Sequence, residues 1–131
     1  MKAITAELIR IYQPDDIDWM GYYTLCKDDF SFHHIIKKCD GGPYHIDNGA
    51  LLNRDTAHPY LHLIEVKDLD MFDYINKILK DINTQRYSPT KKQLLAIRSV
   101  LESFEREHCS DRTKRGKILL KAKYIEGRKK I

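Results

Sequence analysis

Apolar residues recur at helical spacing in three stretches of this chain. Ile4, Leu8 and Ile11, helped by Ala3 and Ala6, predict a short helix within residues 1–13. Pro14-Asp15-Asp16 ends it, because proline lacks the N–H that the next turn needs. Leu69, Phe72, Ile75, Leu79 and Ile82 step by three or four residues and predict an amphipathic helix. Asn83 to Tyr87 reads as a loop. Ser88-Pro89 then reads as an N-cap with proline at the first helical position. It opens a second amphipathic helix through Leu94, Ile97, Leu101 and Phe104, ending near His108. Both stripes read as packing surface.

The stretch between these helices has a different texture. Residues 17–32 carry Trp19, Tyr22, Tyr23, Phe30 and Phe32, and read as a loop leading into a short strand at about 30–36. Gly41-Gly42-Pro43 is a turn signal. A second short strand fits 49–52, giving a hairpin with a long, irregular connection. Asn53, Asp55 and Thr56 are candidate helix caps, and Pro59 is acceptable only in a first turn. A helix from Thr56 or Ala57 to about Val66 follows. The fold class is α+β, in one domain of 131 residues. Its parts are an N-terminal helix and loop (1–29), a strand–strand–helix core (30–66), two helices (67–110) and a tail (111–131).

Composition adds little until charge is mapped. No apolar run approaches the ~18 residues that cross a bilayer. The first residues lack the apolar core and cleavage site of a secretory signal, so the expected location is cytoplasmic. Cys26, Cys39 and Cys109 form neither a CxxC pair nor a disulfide framework, and read as idle thiols. Net charge is +4, but of 23 Lys/Arg and 19 Asp/Glu, nine and two lie in 111–131, leaving 14 and 17 elsewhere. The positive field belongs to the tail. Arg112, Lys114, Arg115, Lys117, Lys121 and Lys123 are candidate contacts to a polyanion.

Five of six histidines fall within residues 33–62. His58 and His62, four apart on the expected helix, share one face and can converge on one ion. His33 and His34 are adjacent in the expected strand, so they point to opposite faces. His45 lies in the connecting loop and reads as a plain loop residue. His108 reads as a surface residue.

The whole pattern is H-H-x13-N-x9-H-x3-H, from His33, His34, Asn48, His58 and His62. Gly41-Gly42 stands inside it and Asp47-Asn48-Gly49-Ala50-Leu51-Leu52 follows. This resembles the HNH endonuclease family, most of all the branch that includes the bacterial colicin DNases. The resemblance covers about 30–65 and implies a ββα-metal finger, two strands and a helix gripping one divalent cation (Mg²⁺, Mn²⁺, Ni²⁺ or Zn²⁺), with helices added after it. By matching position, His33 and His58 are the implied metal ligands and His62 a third. His34 is the implied general base, and Asn48 the residue that braces the loop and orients it. The implied activity is hydrolysis of nucleic-acid phosphodiesters, DNA foremost. The chain departs from the family at Lys37-Lys38, where proline is common. It departs again at Cys26-Lys27-Asp28-Asp29 and Asn53, where many members place the cysteines of a structural zinc knuckle. Packing by Trp19, Tyr22, Tyr23 and Phe30 is expected to replace that knuckle. The interval from Asn48 to His58 is one residue longer than usual. Two other functions compete: a catalytically silent nucleic-acid-binding module on the same scaffold, and an interaction protein with a purely structural metal.

Overall fold

Helix α1 (Ala3–Tyr12) stops before Pro14, where Gln13 turns left-handed (φ 45°) and donates its N–H to Ile9 O. It opens a computed structural model that describes residues 2–108. The basic tail, Cys109 and any helix there lie outside the described residues. The buried face of α1 is Thr5, Leu8, Ile9 and Tyr12, whereas Ile11 is 37% exposed. The face is rotated from the expected stripe because Tyr12 is anchored. Its ring meets Trp19 edge-on at 4.8 Å and its hydroxyl donates to Asn83 O.

Strands β1 (Phe30–His34) and β2 (Gly49–Asn53) pair antiparallel, from Phe30 opposite Asn53 to His34 opposite Gly49. Strand β1 is two residues shorter than expected at its end. There the Asn48 side chain, not a partner strand, takes up the backbone of Ile36. All five residues of β2 are buried, because α1, α2 and α3 all pack against it.

Helix α2 (Ala57–Lys67) has Pro59 in its first turn, as expected. Of its candidate caps, Thr56 holds the N-cap position but makes no side-chain cap hydrogen bond; Asn53 instead turns the chain ahead of the helix, its Oδ1 accepting from the N–H groups of Asp55 and Thr56. Asp68 both ends α2 and caps α3 (Leu69–Gln85), accepting from Met71 N–H at 3.2 Å. The expected loop at Asn83 is helix. Asn83 is buried and donates to Ile46 O and Gly49 O, so α3 reaches the loop before β2. Leu69, expected on the packed stripe, is 57% exposed at the first turn. Helix α4 (Lys91–His108) starts later than Ser88-Pro89 implied. Its cap is Thr90, whose Oγ1 accepts from Gln93 N–H while Gln93 Oε1 accepts from Thr90 N–H, a reciprocal capping box. Ser88 instead donates to Tyr12 O.

One hydrophobic cluster joins Leu8, Trp19, Leu51, Leu52, Leu61, Ile75, Leu79 and Phe104. Under it lies a polar knot: the buried Asp18 carboxylate accepts from Met20, Tyr22 and Asn53 N–H at 2.7–3.0 Å. No helix among the described residues is long and apolar enough to cross a membrane.

Candidate metal centre

Alternation along β1 sends Ser31 and His33 to one side and Phe32 and His34 to the other. On the first side lies α2, where His58 and His62 stack one turn apart with ring centroids at 4.9 Å. The His33 ring stands 5.5 Å from His58 and 6.2 Å from His62. One ring nitrogen from each of the three falls within 4.8 Å of the others.

Each imidazole has a partner on one ring nitrogen, which bears on which nitrogen keeps its lone pair. Asn76, on α3, donates its amide N–H to Ile35 O, so its oxygen faces His33 Nε2 at 2.9 Å. His33 must therefore carry its proton on Nε2 and leave Nδ1 as the electron-pair donor. Ser31 gives its only hydroxyl proton to Leu52 O, so at 2.7 Å it accepts from His58 Nδ1–H. That leaves His58 Nε2 free to ligate. His62 Nδ1 lies 3.5 Å from Glu65 Oε1, and Glu65 is also paired with Lys37. A partner on the far nitrogen is the usual support of a metal-binding histidine. Asn76, Ser31 and Glu65 carry no sequence signal: a helix stripe, a strand and a charged helix face hide them.

Burial pulls His33 down to about 4, against the hydrogen bond to Asn76. Burial also pulls His58 down to about 4, with His33 and His62 adding to it. Both are neutral at physiological pH, the state a metal requires. At Glu65 burial pushes upward, but Lys37 and His62 outweigh it and the carboxyl sits below its usual range.

On the other side of β1, His34 makes T-shaped contacts with Tyr44 at 4.3 Å and Phe32 at 4.8 Å. Its Nε2 is shut off from solvent and has no hydrogen-bond partner among the described residues. Burial, then Lys2 and Lys38, lower its pKa, keeping the ring neutral. The loop from His34 to β2 is closed by the buried Asn48. Its Oδ1 accepts from Ile36 N–H at 2.7 Å, and its Nδ2 donates to Ile36 O and Pro43 O. Asn48 braces the loop as expected and makes no hydrogen bond to His34. Gly41 takes φ 87° there. At Gly42 a Cβ would lie 1.8 Å from Ile36 O and 2.8 Å from Asn48 Nδ2. Only glycine lets the chain pass so close.

An open cavity of about 760 Å³ joins both sides, lined by the three ligand candidates, His34, Tyr44, Lys2 and Lys38 among others. His45 stays out of it, its Nδ1 accepting from Asp47 N–H in the loop. His108 is not a bare surface residue: it is half-buried and bonds Asp68 Oδ2 at 3.0 Å, tying α4 to the head of α3. Asp68, Glu107 and His108 could also gather about an ion, but Asp68 is already occupied by that bond and its cap. Cys26 and Cys39 are exposed free thiols and neither belongs to the histidine group, although Cys39 borders the same cavity. Arg112, Lys114, Arg115, Lys117, Lys121 and Lys123 lie outside the described residues.

The region expected to stand in for a zinc knuckle is held by more than aromatic packing. Trp19, Tyr22 and Phe30 are buried, but Asn53 also donates to Thr24 Oγ1 and Tyr23 O. Asp18 adds its three backbone contacts. Lys37 is the ion-pair partner of Glu65. No family model, curated protein or solved structure matches this chain.

Proposed function

We propose that the chain is a metal-dependent nuclease of the HNH type, hydrolysing nucleic-acid phosphodiester bonds, DNA foremost, on a ββα-metal finger. The observation that carries this reading is the histidine triad, each ring of which is partnered on one nitrogen by Asn76, Ser31 or Glu65. Among the described residues no cysteine or carboxylate joins the triad as a fourth ligand. Structural zinc sites close with four ligands, whereas catalytic sites keep a position open. That contrast favours chemistry over a purely structural metal.

His33, His58 and His62 would hold the cation through Nδ1, Nε2 and Nε2. A divalent ion bound there supplies charge neutralisation to the scissile phosphate and the departing oxygen. His34 takes the proton of the attacking water at Nδ1. The water oxygen forms the new bond to phosphorus as the bond to the 3′ oxygen breaks. A neutral imidazole suits that task near pH 7. Asn48 acts at one remove, by keeping the loop after His34 in a single shape.

The test is plasmid cleavage by purified protein in EDTA and in Mg²⁺, Mn²⁺, Ni²⁺ or Zn²⁺, beside His34→Ala and His58→Ala. Metal-dependent nicking lost in both variants supports the reading. Folded protein that binds DNA but cuts under none of these cations would replace it with the silent binding module.

A further inference from the structure

Two of the four Lys/Arg side chains bordering the cavity are already committed. Lys37 pairs with Glu65, and Arg54 pairs with Asp29 and Asp55. Lys2 and Lys38 differ. Lys2 comes from the entry to α1 and Lys38 from the loop after β1, yet both reach the Tyr44 ring. Their ammonium nitrogens lie 4.1 Å and 5.5 Å from its centroid. Among the described residues neither has a carboxylate partner. Two like charges gathered on one ring, with no counter-charge, repel each other and raise the local positive potential. The ring face offsets part of that, and the rest calls for an anion.

Tyr44 completes the donor set. Lys2 Nζ donates to the Tyr44 oxygen at 2.7 Å, which leaves the phenolic O–H free to donate outward. The same hydrogen bond pulls the phenol below its usual range. Tyr44 touches His34 directly, and the cavity continues from there to the histidine triad. Two ammonium groups and a hydroxyl facing one opening match the oxygens of a phosphate.

We propose that Lys2, Lys38 and Tyr44 form a seat for a backbone phosphate of the nucleic-acid strand, beside the one presented to His34. The seat rests on the nuclease reading for its neighbour, but its own contact is electrostatic and needs no metal. It positions the strand without reading its sequence.

The experiment uses the full chain in EDTA. Anisotropy of a short labelled DNA duplex gives the dependence of log K on log salt for wild type, Lys2→Ala/Lys38→Ala and Lys2→Arg/Lys38→Arg, each checked for fold by circular dichroism. In parallel, inorganic phosphate is titrated while the Tyr44 ring resonances are followed. Each neutralised phosphate contributes about 0.9 to the slope, so the alanine pair, which removes one seat, should flatten it by about 1 and the arginine pair restore it. Phosphate should move the Tyr44 resonances in wild type and not in the alanine pair. An unchanged slope in folded alanine protein overturns the seat. A phosphate response with an unchanged slope also overturns it, assigning the site to free phosphate instead. A flattened slope in a protein that cuts under no cation would sink the nuclease reading and leave the seat standing. Cleavage with an unchanged slope would do the reverse.

Discussion

His34 and its neighbour His33 differ by one position in a strand, and that single step sends their side chains to opposite sides of β1. Its side of β1 leaves His34 no part in the triad, and under the proposed function it is the base instead. His34→Ala should therefore lower cleavage by about 10²–10⁴-fold while calorimetry finds cation affinity unchanged. A parallel fall in affinity would place His34 in the metal site instead. Asn76→Ala should act in the opposite way. It removes the acceptor that holds His33 on Nε2, so cation affinity should drop by about 10–100-fold. Ser31→Ala should do the same through His58. The five residues of the histidine–asparagine pattern stood out in the sequence because their spacing is distinctive. Their partners did not, because an asparagine on a helix and a serine on a strand become informative only when another element is laid across them.

At the scale of elements, the loop between the strands carries the tightest constraint. Gly42→Ala places a Cβ inside contact distance of Ile36 O and Asn48 Nδ2. Overpacking against backbone typically costs about 1–3 kcal/mol, which denaturant unfolding would register as a lower midpoint. An unchanged midpoint would mean the loop can shift without harm. Thr90→Ala should cost about 1 kcal/mol through loss of the α4 cap, whereas Ser88→Ala should cost less if the cap is where the hydrogen bonds place it. The helices themselves were readable from apolar spacing. Their ends and rotations were not: α1 turned to satisfy Tyr12, and α3 ran on through Asn83 because a buried amide found two carbonyls.

For the whole molecule, acid is the informative stress. His33 sits at about 4 in the folded protein and near 6.5 when unfolded, so the unfolded chain binds more protons between those values. Its contribution is complete above about pH 6.5 and lost as pH falls through 4, on the order of 3 kcal/mol. His58 acts in the same direction. Asp18 opposes them: burial raises it to about 7 against its backbone donors, so the folded state gains from its protonation as pH falls from 7 toward 3.8. Chemical unfolding in EDTA across pH 4–8 separates the two. His33→Asn should flatten the acid loss relative to wild type, and identical profiles would contradict the burial argument. Adding a binding cation should raise stability by RT ln(1 + [L]/Kd), about 2.7 kcal/mol at a hundredfold excess over Kd. Its removal should leave the fold intact, since Asn76 and Ser31 hold their histidines without it.

The order of elements, the alternation of His33 and His34, the i, i+4 pairing of His58 and His62 and the turn at Gly41-Gly42 were set locally, by periods and conformational limits that a short segment obeys on its own. Three-dimensional packing decided everything that depends on remote partners. It set Asn76 and Ser31 against the histidines from α3 and β1, tied the segment before β1 to the end of β2 through Asp18 and Asn53, and brought Lys2 to Lys38 across Tyr44. Those choices pair residues from separate elements, and only closure of the core sets such pairs against each other.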